Sequence, residues 1–199
     1  MIAQQEFWNW FREHEMELLD FEADRERVFD QLATEIQKVD PRLTFEFGPK
    51  EATREFVISA GGIRGAFPAV SALVAAAPHL EKWRMTAFRP RRSLPNIIEF
   101  RGKRIDPKDV QFTLLDNGTV AGIHLFIPGF QEMDAVLKQI GYLILDDVLG
   151  EYDVEVRLGL IKMLSPETRT DGQRFPLAEL PAQFDQLVSR LEHRSGRPS

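Results

Sequence analysis

REFVISAGGIRGAFPAVSALVAAAPHLEKWRMTAFRPRR, residues 54–92, decides the fold. Phe56, Ile58 and Ala60 alternate with Val57 and Ser59, the period of two of a strand with one buried face. Gly61, Gly62 and Gly65 then make a loop. Pro68 suits the first turn of a helix, where its missing N–H costs nothing. Val70, Leu73, Val74 and Ala77 give that helix one apolar face over 67–77, and Pro78 stops it. Trp83, Met85 and Ala87 alternate with Arg84 and Thr86 as a second strand. A basic cluster follows at Arg89, Arg91 and Arg92.

Upstream, Leu43, Phe45 and Phe47 alternate with Thr44 and Glu46, and Gly48-Pro49-Lys50 is turn chemistry, so 43–60 reads as a hairpin. Downstream the order repeats. Residues 110–115 and 119–127 flank Asp116-Asn117-Gly118, and Asn-Gly supplies the positive φ angles a tight hairpin turn demands. Met133, Val136, Leu137, Ile140, Ile144 and Val148 mark a long amphipathic helix that Gly150 ends. Tyr152, Val154, Val156, Leu158 and Leu160 then alternate as a strand. Hairpin, helix and strand thus occur twice, at 43–89 and 110–163.

Around these units, residues 4–19 and 20–38 carry helical periodicity, stopped by Asp40-Pro41. The helical N-terminal segment is 1–40. Pro90 and Pro95 bracket an irregular link, followed by a short strand at 97–101 and a polar turn at 101–104. Residues 165–175 are loop, and Leu177, Leu180, Phe184, Leu187 and Leu191 place a last helix over 176–193, with 194–199 beyond it. The class is α+β: two β-hairpin–helix–strand units forming mainly antiparallel sheet, with helices at both ends, in one domain over 1–199.

Composition narrows the chemistry. The chain is 43% hydrophobic and 28% charged, ordinary for a globule. With no cysteine, disulfides, thiolate catalysis and Cys-based metal centres are excluded, which fits a cytoplasmic protein. Neither a signal peptide nor an apolar run of membrane-spanning length is legible. The net charge of −6 is unevenly spread. Residues 84–108 hold eight bases against two acids, whereas residues 1–30 hold nine acids against three bases. An acidic chain with one basic segment repels phosphate over most of its surface, so no nucleic acid is expected.

The segments FEFGP at 45–49, REFVISAGG at 54–62, and APHLEKW at 77–83 leading into AFRP at 87–90 resemble an uncharacterised bacterial family of cytosolic proteins of unknown function, over the central half of the chain. The resemblance implies lineage and brings no catalytic motif.

Four arginines are candidates for anion or partner binding. Arg64 sits in the glycine loop ahead of a helix, where backbone N–H groups can hold an anion. The glycine spacing matches neither a phosphate loop nor a dinucleotide fingerprint, and a strand-to-helix turn is the preferred reading of the glycines. Arg89, Arg91 and Arg92 carry guanidinium forks suited to carboxylate or phosphate, or they pair with the protein's own acidic N-terminal helices. Asp146, Asp147, Glu151, Asp153 and Glu155 cluster near a helix end, with Asp153, Glu155 and Arg157 expected on one strand face; no metal-loop pattern accompanies them. His14, His79, His124 and His193 show no metal spacing. Trp8 and Trp10 fall on different helix faces, one for the core and one for a partner.

No catalytic constellation, metal site or cofactor motif emerges. The reading is therefore a non-enzymatic, protein-binding regulatory domain of inhibitor or immunity type, using the acidic helices or the arginine link. The alternative is a hydrolase or other enzyme on a small anionic substrate, with Arg64, Arg89, Arg91 and Arg92 binding it and His124 or Asp153 as base. A self-associating domain that dimerises through edge strands is a third reading.

Overall fold

The structure, a computed structural model, describes residues 2–94 and 96–196; Pro95 of the predicted link and 197–199 of the tail lie outside them. The fold is mixed α+β, and the chain divides between Arg89 and Pro90 into two compact units.

In the first unit, helices α1 (Ile2–Glu13), α2 (Glu15–Leu19) and α3 (Arg25–Gln37) precede strands β1 (Thr44–Phe47) and β2 (Arg54–Ser59), helix α4 (Phe67–Ala75) and strand β3 (Trp83–Ala87). The single helix expected over 4–19 is interrupted at His14. β1 pairs antiparallel with β2, with Phe47 opposite Phe56 and Phe45 opposite Ile58. β3 lies parallel to β2 on its other side, a pairing that needs the crossover α4 supplies. Phe45, Phe47 and Phe56 share one sheet face. Phe7 and Phe11 of α1 and Phe29 of α3 pack their rings on it, so the aromatic stripe of each helix meets the period-two stripe of the sheet. The Trp8 indole donates to the Leu73 carbonyl at 2.8 Å, tying α1 to α4. Phe88 ends the parallel strand at φ +66. Two restraints hold it there: its N–H donates to the Ile58 carbonyl at 2.8 Å, and its ring lies 4.5 Å from that of Phe67.

One charged side chain lies inside this aromatic layer. Arg54 is 2% exposed. Its Nε donates to the Gly48 carbonyl at 3.0 Å and its Nη1 to the Leu19 carbonyl at 2.7 Å. Its Nη2 bonds Glu22, and its guanidinium lies 4.3 Å from the Phe21 ring centroid. The Arg54 bond is the main cause that lowers the Glu22 carboxyl from 4.5 to about 2.

In the second unit, a small hairpin joins β4 (Ile98–Phe100) and β5 (Lys103–Ile105). The polar turn expected at 101–104 is only Arg101-Gly102, both at positive φ, and Lys103 and Arg104 already belong to the returning strand. There follow β6 (Gln111–Asp116), β7 (Ala121–Phe126), α5 (Ala135–Leu149), α6 (Glu151–Arg157), β8 (Leu158–Leu164), β9 (Phe175–Pro176) and α7 (Leu180–Ser195). The sheet order is β8-β7-β6-β9. β7 runs antiparallel to β6 and parallel to β8, and β9 covers only Gln111 and Phe112 of β6. Phe112, Ile123 and Leu125 form the sheet's contribution to a core shared with Ile140, Ile144 and Phe184.

The strand expected from Tyr152 onward is corrected. Residues 151–157 are helical, and the strand begins at Leu158. Tyr-x-Val-x-Val alternates, but Glu151, Val154 and Leu158 are the buried positions, spaced as one helix face. Gly150 makes the break between helices at φ +83 and ψ +149, a region essentially restricted to glycine.

All three tryptophans, Trp8, Trp10 and Trp83, lie in the first unit, so their fluorescence reports its unfolding alone. Replacing Arg54 with Met should lower the unfolding free energy of that unit by about 3 kcal/mol, through carbonyls and Glu22 left without their donor. A depressed carboxyl contributes stability above its unfolded pKa and loses it as pH falls. The urea midpoint of the wild type should therefore drop between pH 4.5 and about 2, and Glu22→Gln should flatten that limb.

Candidate functional site

The four arginines are split by the division of the chain. Arg64 and Arg89 belong to the first unit, Arg91 and Arg92 to the second. Gly61 and Gly62 turn the chain at φ +57 and +80, after which a 3-10 turn at Arg64–Ala66 leads into α4. Arg64 is exposed there. Arg89 is half-buried, with its Nε 3.9 Å from Glu46. Arg92 is exposed, and its backbone N–H donates to the Asp147 carbonyl at 2.7 Å.

Arg91 is the most engaged of the four. Its Nε donates to the Leu149 carbonyl at 2.9 Å, at the end of α5. Nη1 and Nη2 donate to the two oxygens of Asp185 at 2.9 and 2.7 Å, the bidentate geometry a planar fork favours. Nη2 also reaches Asp153 at 2.5 Å. Asp153 accepts from Arg157 at 3.0 Å, and Arg157 donates onward to Glu192 at 3.1 Å. The result is a chain of alternating sign, Asp185–Arg91–Asp153–Arg157–Glu192, that ties the segment entering this unit to α5, α6 and α7. The Asp185 bond, followed by Asp153, raises the Arg91 pKa above the ordinary arginine value against the cost of burial. These partners are not the N-terminal helices named as the alternative.

Because 151–157 is helical, Asp153 and Arg157 are an i,i+4 ion pair rather than neighbours along a strand. Both Asp153 oxygens receive arginine donors. His124 lies at the centre of β7, opposite Thr113 on β6 and Lys162 on β8. Its Nδ1 is buried without a hydrogen-bond partner. Burial, then the nearby Lys162 charge, pushes its pKa below the usual histidine value. No hydrogen bond joins His124 to an arginine among the described residues. Among those residues no group of three or more His, Asp or Glu is placed to hold a metal ion, and no helix is long and apolar enough to cross a membrane.

The N-terminal helices sort their acids into two sets. Glu17 and Asp24 pair with Arg27, Asp20 with Lys50, Glu22 with Arg54 and Glu35 with Lys38. Half-buried Glu15 on α2 forms no ion pair among the described residues, and neither do Glu6 and Glu13 on α1 or Glu26 and Asp30 on α3, which are exposed. α1 and α3 pack against each other with Phe7, Phe11, Val28, Leu32 and Ile36 turned inward, which sends these four carboxylates to solvent. Charge counting finds the acidic segment but cannot separate the paired acids from the unpaired ones, since Lys50 and Arg54 lie far along the chain. Of the two tryptophans, Trp8 is fully buried, while Trp10 is half-buried and stacked on His14 with centroids 4.6 Å apart.

Arg91→Ala should lower the stability of the second unit by about 2 kcal/mol, since its hydrogen bonds are charge-assisted, and should speed amide exchange across 149–157 most. Arg91→Lys should rescue little of this, because an ammonium cannot make the bidentate fork; hydrogen exchange read by mass spectrometry checks both. No family model, no curated protein and no solved structure matches this chain.

Proposed function

We propose that this chain is a non-enzymatic regulatory domain of the bacterial cytoplasm that binds another protein, in the manner of an inhibitor or immunity protein. In this reading the acidic N-terminal helices cover a basic site on the target. One observation carries it: Glu6, Glu13, Glu26 and Asp30 are exposed and form no ion pair among the described residues, while Glu17, Asp20, Glu22 and Asp24 between the two helices are matched by bases. Glu26 and Asp30 stand four apart on α3, where like charges repel and cost a few tenths of a kcal/mol. A facing basic surface removes that cost. Complementary fields of this kind raise the rate of encounter and select the partner. The repeated run of hairpin, helix and parallel strand acts in this reading as the scaffold beneath the surface. The arginine link has the lesser part, since the donors of Arg91 serve its own unit.

The test compares wild type with the E6K/E13K/E26K/D30K variant, first checked for an unchanged tryptophan spectrum. Wild type should capture a defined partner from native bacterial lysate, and its affinity should fall at least about tenfold between about 50 and 500 mM salt as the charges are screened. The variant should lose that capture. Equal capture by both proteins, or an affinity indifferent to salt, overturns the proposal.

A further inference from the structure

Strand β6 is only half covered on its outer edge. β9 pairs with Gln111 and Phe112 and goes no further. The chain before β9 stays beside Thr113, whose Oγ1 donates to the Gln173 carbonyl at 3.1 Å. Beyond that point no strand lies against Leu114–Asp116 on this side among the described residues.

The bonding phase shows which groups this leaves. The Leu177 N–H donates to the Val110 carbonyl at 3.1 Å on the β9 side, and the Asn117 N–H donates to the Val120 carbonyl at 3.3 Å on the hairpin side. Residues of an antiparallel strand alternate in the edge to which they bond. The even-numbered residues therefore direct N–H and C=O away from β7, and Leu114 and Asp116 present two donors and two acceptors to an open edge.

That edge is one wall of a groove of about 790 Å³, and α7 is the other. Gln183, Gln186 and Arg190 line the helical wall at i, i+3 and i+7. Asp116 already accepts from Arg194, and Arg190 adds only a longer-range pull on it. The Arg190 guanidinium is exposed and makes no hydrogen bond or ion pair among the described residues. A backbone ladder beside a helix is the arrangement that takes an extended segment as an added strand, with main-chain bonds for affinity and side-chain subsites for choice. The Gln183 amide already donates to Glu179 of the same lining at 2.9 Å; the Gln186 amide suits a polar side chain, and the uncommitted charge of Arg190 suits a carboxylate at the far end of the groove from Glu179.

We infer that the groove between β6 and α7 binds an extended acidic segment of a partner protein, which adds as a strand beside Leu114–Asp116 and places a carboxylate on Arg190. The site is separate from the acidic helices of the first unit and stands or falls without them.

The probe is the blocked peptide acetyl-Val-Glu-Val-Glu-Val-amide, titrated into the full chain and followed by amide chemical shifts. Saturable shifts are expected at 114–116 and 183–190. Backbone N-methylation of the peptide, or lysine in place of glutamate, should weaken binding by about tenfold or more, the scale of one charge-assisted hydrogen bond. R190E should reverse the preference toward the lysine peptide. E6K/E13K/E26K/D30K should bind the glutamate peptide as wild type does, which keeps this test apart from the one above. Absence of shifts at about 1 mM peptide, the weak end of specific affinity, overturns the inference. So do equal shifts with the N-methylated peptide. A concentration-dependent dimer that protects the Leu114 and Asp116 amides would also overturn it, by giving the edge to a second copy of the chain.

Discussion

A guanidinium sealed from water must have its donors taken up, and much of this molecule is arranged to do so. Arg54 begins a strand, yet its side chain reaches back to the carbonyls of Leu19 and Gly48 and to Glu22. The first unit's helical segment and its hairpin loop are thereby fixed to the same atom group. An apolar replacement of the same shape would leave both carbonyls and Glu22 without their donor. Removing only its partners would strand a buried cation. Arg91 plays the matching part in the second unit, where it collects the end of α5, the start of α6 and the middle of α7. It is less deeply buried, and one of its two carboxylate partners, Asp153, is shared with Arg157.

What the sequence discloses follows from how local each signal is. The hairpin around Asn117-Gly118 is legible because the turn chemistry and both alternating runs lie within a few residues of one another. The first unit's order is legible for the same reason, with Pro68, Pro78 and the glycine pair marking the ends of elements. Residues 151–157 mislead because a seven-residue segment can satisfy a period of two and a helical period together. Only burial separates them: Glu151 is buried while Tyr152 is 45% exposed. β9 is invisible in advance, since a two-residue strand carries no periodicity. The role of Arg91 is illegible because its carboxylate partners lie 62 and 94 residues away.

The distribution of charge has the same character. The first thirty residues advertise an acidic segment, but its meaning depends on which carboxylates are neutralised by bases brought from later in the chain. Lys50 and Arg54 each cancel one, while Glu6, Glu13, Glu15, Glu26 and Asp30 form no ion pair among the described residues. Surface carboxylates left in this state contribute little to stability, so their arrangement is free to serve recognition. Arg190 is the counterpart on the second unit, a cation on a helix where its neighbours Arg157, Arg194 and Asp185 are already matched.

β3 lies parallel to β2, and β8 to β7, and each arrives only after a helical crossover. This places the two pairings on different clocks. The β6–β7 hairpin closes across a short turn, an event of microseconds. β8 must wait until α5 and α6 have been made and docked, because a parallel strand is reached only through its crossover. During synthesis, then, β7 emerges with one edge paired and the other bare, carrying Ile123, Leu125 and Phe126, all fully buried in the finished protein. An apolar strand with an open edge is the form of chain most prone to pair with a stranger. The interval between β7 and β8 is thus the period in which the nascent second unit is most exposed to aggregation.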